Sequence, residues 1–344
     1  MSRILIVRVG AMGDVLHALP AVAALRRARP DWPIDWVIDE RWQPLLTADT
    51  PAEVRTSIPV PIKAWKQHPF SRTTLQSLLS FKQVRGQYDL VVDMQGTLRS
   101  AAIGRLAGGK LLTGYADPRE SFAAQFYATR IQREGTHVVQ QGANLLSAAC
   151  NLELSPTNPQ LPHSELADTW AAERIANRRV AILSPRAGWG AKQWPAYRFG
   201  HLAQQLRARG YTCLVNATSQ DDATAHAVVA ASNGSAETVV CNVAGLIALV
   251  RLSSLLVGGD SGPTHLAAAL GIPTIALFGP TNPARNGPWG SGPIAILRDP
   301  ASPDTYKRSS TLDPGLANIT VDQVLTAIDG LHPTPHCLLP NPCF

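Results

Sequence analysis

Leu255-Leu256-Val257-Gly258-Gly259-Asp260-Ser261-Gly262-Pro263-Thr264-His265-Leu266-Ala267-Ala268-Ala269-Leu270-Gly271-Ile272-Pro273-Thr274-Ile275-Ala276-Leu277-Phe278 decides the fold. An apolar triplet, a glycine-bearing polar turn, an Ala/Leu-rich run closed by Gly271 and a second apolar run read as strand, loop, helix and strand. Asp260 or Ser261 can serve as N-cap, Pro263 suits the first helical turn, and Gly271 is placed to stop the helix. Such a helix aims its free N–H groups and the positive end of its dipole at the loop, which makes an anion site. Gly262 lets backbone approach a ligand closely, and His265 lies one turn in. Gly258-Gly259 alone would suit an ordinary turn. The Asp, Ser, Thr and His around it favour a phosphate site.

A second strand–loop–helix opens the chain. Ile4-Leu5-Ile6-Val7 is an all-apolar run, as expected of a strand covered on both faces in a parallel sheet. The loop Gly10–Gly13 follows directly. Leu16, Leu19, Val22 and Leu25 then recur at helical spacing, with Pro20 as a candidate bend. The unit is Rossmann-like, yet its glycines do not follow G-x-G-x-x-G, so dinucleotide binding is not supported. Asp14 stands at the mouth of this first turn, where open α/β sheets place their ligands. Its purely structural role would be a helix cap.

The chain has 344 residues, 45% of them hydrophobic, which is long for one core and points to two domains. Further strands are expected near Ile34–Ile38, Leu90–Asp93, Val180–Leu183, Thr212–Val215 and Thr238–Val240, with a turn at Gly114, an interdomain linker over 158–164 and a final helix over Val321–Leu331. Two doubly wound domains facing one another would line a cleft with the C-terminal ends of both sheets. The start carries no signal-peptide pattern, and no apolar run is long enough to cross a bilayer, so a cytoplasmic protein is expected. The five cysteines, at 150, 213, 241, 337 and 343, have no metal-ligand spacing. A net charge of +6 favours anionic partners. Nucleic acid is disfavoured because no helix-turn-helix, zinc or RNA-recognition signature accompanies that charge.

Val180-Ala181-Ile182-Leu183 leads into Ser184-Pro185-Arg186-Ala187-Gly188-Trp189-Gly190-Ala191-Lys192-Gln193-Trp194-Pro195. Lys192 thus sits at the topological level of the Asp260 loop, although a lysine before Trp-Pro is ordinarily a solvent-facing residue. A diphosphate between the two loops would meet one mobile ammonium and several fixed N–H donors. Between Ala64 and Arg85, basic residues alternate with aromatic ones, which suits either a surface for an acidic ligand or a solvated helix face.

Gly13-Asp14 with His17-Ala18-Leu19-Pro20, Asp93-Met94-Gln95-Gly96, Lys192-Gln193-Trp194-Pro195, Asp260 to Leu266 and Phe278-Gly279-Pro280-Thr281-Asn282-Pro283 together resemble the ADP-heptose:lipopolysaccharide heptosyltransferases of glycosyltransferase family nine. The resemblance runs from Ile4 to about Ile328. Asp93 to Ser100, His137-Val138-Val139 and Asn144-Leu145-Leu146 look closer to heptosyltransferase I than to heptosyltransferase II.

The resemblance implies an α/β GT-B fold, two Rossmann-like domains facing across a cleft. An acceptor-binding domain would cover 1–163, with the 321–331 helix a candidate to pack back on it. A nucleotide-sugar domain would cover 164–320, and a flexible tail 332–344. It implies inverting transfer of L-glycero-D-manno-heptose from ADP-heptose to Kdo of a lipid A acceptor, without metal or other cofactor, by an enzyme peripheral at the anionic inner face of the inner membrane of a Gram-negative bacterium. Asp14 would be the catalytic base. Lys192, Ser261, Gly262, Thr264 and His265 would bind the donor diphosphate, with Asp260, as helix cap, and Gly188 supporting the loops. Gly13, Lys63, Lys66, Arg99, Arg119 and His137 would bind the acceptor. Where the family often has an acidic ribose-holding residue, this chain reads Asn216-Ala217-Thr218-Ser219-Gln220-Asp221, leaving Gln220, Asp221 and Cys241 as candidates for the nucleoside. Alternatives are a later-acting heptosyltransferase, a relative using another nucleotide sugar, and a degenerate GT-B module that only binds a saccharide or nucleotide.

Overall fold

The computed structural model describes residues 2–49, 52–69, 71–108 and 112–331. The expected tail over 332–344, with Cys337 and Cys343, lies outside the described residues. The first sheet contains β1 (Ile4–Val7), β2 (Ile34–Asp39), β3 (Thr56–Val60), β4 (Leu90–Asp93), β5 (Leu112–Tyr115) and β6 (Thr129–Ile131), in the order β3-β2-β1-β4-β5-β6. The second contains β7 (Val180–Ser184), β8 (Thr212–Ala217), β9 (Ala236–Val240), β10 (Leu255–Gly259), β11 (Thr274–Phe278) and β12 (Ile294–Arg298), in the order β12-β11-β10-β7-β8-β9. All these neighbours pair in parallel; Ile4, for instance, lies between Ile34 and Leu90, and Leu255 opposite Ala181. Each sheet has the same doubly wound order in its own numbering, and that order reverses between β1 and β4 and between β7 and β10. Crevices beyond the carboxyl ends of strands at such reversals are where open α/β sheets bind ligands.

The central strands are apolar because helices cover both their faces: every side chain of β1, and Leu255, Leu256 and Val257 of β10, is fully buried. In the first unit Leu5, Val7, Val37, Val91, Ile103 and Leu112 share one core. In the second, Trp194 packs edge-on against Phe199 at 4.9 Å, and its indole N–H donates to the Ile319 carbonyl at 2.9 Å. This holds the chain after β12 against the helix Ala196–Ala208.

Several boundaries differ from those expected. The first compact unit comprises residues 1–177, 241–252 and 283–291; the second comprises 178–240, 253–282 and the chain from 292 onward. Residues 158–164 are not a linker. The Asn158 carbonyl accepts from Arg27, the Gln160 amide donates to Glu53, and the His163 carbonyl accepts from the Asp49 amide, after which the helix Glu165–Ile175 still belongs to the first unit. The helix Val321–Leu331 does not return to the first unit; Val324, Leu325 and Ile328 bury in the second core. Pro20 sits inside the continuous helix Met12–Ala28.

Gly114 is a strand residue of β5, not a turn, and the Tyr127 ring occupies the space where its side chain would be: a Cβ there would lie 2.5 Å from two ring carbons. The Tyr127 hydroxyl in turn donates to Asp93 at the end of β4. A Gly114→Ala substitution is therefore expected to displace that ring and cost about 1–3 kcal/mol, as overpacked cores do. Thermal denaturation checks it, and an unchanged midpoint would show that the ring has room to shift.

Candidate active site

In the second unit the site is built at the reversal between β7 and β10. The loop after β10 carries Asp260, whose side chain is 9% exposed. One carboxylate oxygen, Oδ2, accepts from the Lys192 ammonium and from the Thr281 hydroxyl, the latter at 2.7 Å; the other, Oδ1, pairs with His265 Nε2 at 3.1 Å. Burial alone would raise this carboxyl's pKa. The hydrogen bond and charge of His265, then those of Lys192, outweigh burial and hold it below the usual carboxylate range. Lys192 is buried to the same degree as Asp260, with its Nζ 4.1 Å from the centre of the Trp189 ring. The freely mobile ammonium expected from the sequence is instead a held one.

Asp260 does not cap the following helix, Gly262–Ala269. Ser261 occupies the N-cap position, without a side-chain cap bond, so the amides of that first turn receive no cap bond from it. Thr264 turns its hydroxyl back to the Gly259 carbonyl at 2.7 Å and is fully buried. Gly188 is exposed and a side chain there would meet nothing within 4 Å, so packing does not require glycine. Gly190 is the constrained position: a Cβ would lie 2.3 Å from the Ser310 carbonyl oxygen.

In the first unit the corresponding reversal lies between β1 and β4. Asp14, in the first turn of Met12–Ala28, has a half-buried carboxylate whose Oδ1 is 3.3 Å from Arg8 Nη2. Arg8 also donates to the carbonyls of Asp14 and Met94, tying the loops after β1 and β4 together. Gly10 passes so close that a Cβ would fall 2.3 Å from Asp14 Oδ2 and 2.6 Å from Gln95 Oε1. The loop after β4 hangs from Asp93, which accepts from the Gln95 and Gly96 amides at 2.8 and 3.1 Å and from the Ser100 and Tyr127 hydroxyls at 2.9 and 2.7 Å. Burial is nonetheless the largest influence on Asp93 and pushes its pKa up.

The model of glycosyltransferase family 9 (heptosyltransferase) matches residues 78–313. The chain belongs to this family of glycosyltransferases. Lipopolysaccharide heptosyltransferase 1 of Pseudomonas aeruginosa is 31% identical over 320 residues, covering 91% of this chain and 88% of the relative. Lipopolysaccharide heptosyltransferase 2 of Escherichia coli K12 is 25% identical over 299 residues, covering 82% and 84%. The solved structure of the E. coli heptosyltransferase WaaC with ADP superposes with a TM-score of 0.76 at 25% identity, over 96% of this chain and 99% of that one. The two doubly wound parallel sheets are those of a GT-B member of the family.

Other residues that the family resemblance singles out are distributed unevenly. Gly13 lies in the helix turn beside Asp14. Lys63 and Lys66 are exposed on the helix Ile62–Gln67, whose Ile62 and Trp65 are buried. Arg99 and Arg119 are brought near each other, because the Gly96 carbonyl accepts from the Glu120 amide and the Glu120 carboxylate accepts from the Leu98 amide, at 2.9 and 2.8 Å. His137 is engaged structurally. Its Nδ1 accepts from the Val139 amide as an N-cap, and its Nε2 lies 3.1 Å from the Gly287 carbonyl, which His17 Nε2 also reaches at 3.2 Å. Gln220 and Asp221 are exposed in the turn after β8, whereas Cys241 falls in the first unit.

Sequence reading missed Arg8, Thr281 and Asp222. Arg8 and Thr281 stand inside or beside quoted motifs, but their partners are set by tertiary structure. Asp222 was detectable as an N-cap of the helix Ala223–Ala231. It is buried and bonds the Thr218 amide and hydroxyl, each at 3.0 Å, with Arg186 at 3.3 Å. Burial would raise its pKa, but these donors bring it down to about 2. A carboxyl depressed on folding contributes stability that is present above its unfolded pKa and lost as the pH falls through the folded one. Asp222→Asn is therefore expected to lower stability near neutrality by about 2 kcal/mol, and the gap between the two proteins should close between about pH 4 and pH 2. Urea titrations across that range check it; a constant gap would assign the effect to the amide's geometry.

Proposed function

We propose that the protein transfers L-glycero-D-manno-heptose from ADP-heptose to a Kdo residue of a lipid A acceptor, with inversion and without a metal, as a heptosyltransferase I. The observation that carries this reading is the paired build of the two reversal points in a family 9 chain: a half-buried carboxylate, Asp14, in the first unit, and a glycine-rich loop and helix N-terminus beside Lys192 in the second. The solved relative's ADP supports the donor class, and the greater identity to heptosyltransferase 1 than to heptosyltransferase 2 supports the acceptor.

In this reading the second unit holds the donor and the first the acceptor. Asp14 takes the proton of the acceptor hydroxyl while that oxygen attacks the anomeric carbon and the bond to the diphosphate breaks, leaving ADP. Arg8 keeps Asp14 in place through Oδ1. The charge gathering on the departing diphosphate meets Lys192, Ser261 and the amides at the start of Gly262–Ala269, with Thr264, His265 and Asp260 setting the loop's shape from within. Gly13, Arg99, Arg119, Lys63 and Lys66 are the acceptor-side groups, suited to Kdo carboxylates and lipid A phosphates. His137 acts there through the Gly287 carbonyl.

Asp14→Ala is expected to lower turnover by 100-fold or more while leaving ADP affinity within a few-fold; Lys192→Ala should weaken both. Incubation with ADP-heptose and a Kdo-bearing acceptor, read as a product one heptose heavier by mass, is the assay. Near-normal turnover of Asp14→Ala would remove its role as base.

Attachment to an anionic membrane surface is the second part of the reading. From Val54 to Tyr88 the chain contains no Asp or Glu but carries Arg55, Lys63, Lys66, Arg72, Lys82 and Arg85. Within it the helix Arg72–Leu79 buries no residue, and Leu75 and Leu79, one turn apart, are 55% and 39% exposed. Basic side chains around an exposed apolar stripe suit a helix lying in a lipid interface. Among the described residues no helix is long and apolar enough to cross a membrane. The protein should sediment with anionic vesicles, less so in high salt, and a Leu75→Ser/Leu79→Ser double substitution should weaken that several-fold with unchanged turnover on a water-soluble acceptor. Equal sedimentation with zwitterionic vesicles would argue against it.

A further inference from the structure

The Lys192 ammonium already has a carboxylate partner, and this bears on how the site can hold a diphosphate. Lys192 and Asp260 form a buried pair with no net charge between them. A ligand with two or more negative charges is attracted weakly by such a pair, because the field of the cation is cancelled close by. Of the other cationic side chains about this loop, His265 is tied to the same carboxylate and Arg186 to Asp222, whereas Arg308 has no carboxylate partner among the described residues. Its guanidinium carbon lies 5.7 Å from the centre of the same Trp189 ring that Lys192 touches at 4.1 Å.

The backbone sets this placement. The Ala191 amide donates to the Ser309 carbonyl at 3.1 Å, and Gly190 lets the Ser310 backbone approach to a distance that no side chain would permit. The segment carrying Arg308 is thereby laid along the loop carrying Lys192. Arg308 is exposed and has no carboxylate partner among the described residues, whereas Arg186, Arg198 and Arg298 of the same unit bond to Asp222, to the carbonyls of Ala317 and Ile319, and to Asp304 respectively. The Trp189 indole N–H is buried without a hydrogen-bond partner, so this loop also retains an unused donor.

We infer that Arg308 is a second diphosphate-binding residue: its guanidinium, held beside Trp189, donates to phosphate oxygens and supplies the uncompensated positive charge that Lys192, committed to Asp260, does not. This rests on the reading of the loops after β7 and β10 as a nucleoside diphosphate-sugar site. A planar fork of donors suits paired phosphate oxygens better than a second ammonium would.

The test compares ADP with AMP by calorimetry on the full chain, using wild type, Arg308→Met, which keeps most of the side-chain stem against Trp189, and Arg308→Lys. Arg308→Met is expected to bind ADP about tenfold or more weakly with AMP changed by less than threefold, to raise KM for the donor, and to melt at the wild-type temperature; Arg308→Lys should recover part of the ADP affinity. Wild type that binds ADP, together with Arg308→Met that binds it equally well, would overturn the role of Arg308 alone. So would equal losses for ADP and AMP, which would mark a structural role. Wild type that binds neither nucleotide would overturn the donor-site reading, and this inference with it.

Discussion

A buried carboxylate with three donors around it governs the second unit. Asp260 can stay ionised out of water only because Lys192, Thr281 and His265 all reach it, and these come from the loop after β7, the loop after β11 and the helix after β10. One side chain thus fixes three neighbouring loops relative to each other. The glycines before it follow from the same crowding: a Cβ at Gly258 would lie 2.7 Å from the Thr264 hydroxyl, and one at Gly259 2.7 Å from the Lys192 carbonyl oxygen. Their role is to admit neighbours rather than to form a turn.

The first unit solves a similar problem with a different outcome. There too a carboxylate beyond a central strand faces a basic partner, Arg8 against Asp14, but that pair is only half buried. Arg8 meets one carboxylate oxygen and bonds two backbone carbonyls besides. Asp14 is positioned without being enclosed, as the base role proposed for it requires. Beside it a fully enclosed carboxylate, Asp93, braces the neighbouring loop from within. An enclosed acid and an accessible one thus stand at one crevice, whereas Asp260 is enclosed on all sides by its donors.

Strands buried on both faces were legible as apolar runs, which is why β1, β4, β7, β10 and β11 could be read directly from the chain. Of the four edge strands only β9 was, near Thr238–Val240; β3, β6 and β12 were not. Thr56-Ser57-Ile58-Pro59-Val60 contains a proline that only an edge tolerates, Thr129-Arg130-Ile131 is short and largely exposed, and β12 has no fully buried residue. β5 was hidden by Gly114, whose small size serves the Tyr127 ring and not a turn. The Asp260–His265 pair lies within one turn of sequence and could be anticipated. Lys192 and Thr281 meet that loop, and Arg308 meets the loop of Trp189, only through the parallel order of the strands, so their partners were beyond any local pattern. His137 shows the reverse: a motif residue whose ring nitrogens already have backbone partners.

The path of the chain carries a consequence for its biosynthesis. The first unit is incomplete at Asn177, because it also needs the helix Val243–Arg251, which packs on Glu165–Ile175 and buries Leu246, Ile247 and Leu249, and the segment 283–291, whose Gly287 carbonyl meets His17 and His137. A nascent chain therefore cannot finish its N-terminal unit when that portion leaves the ribosome. It must wait until residue 291 has been made, by which time most of the second sheet has emerged, so the two halves mature together and no single cut in the polypeptide can release either one whole.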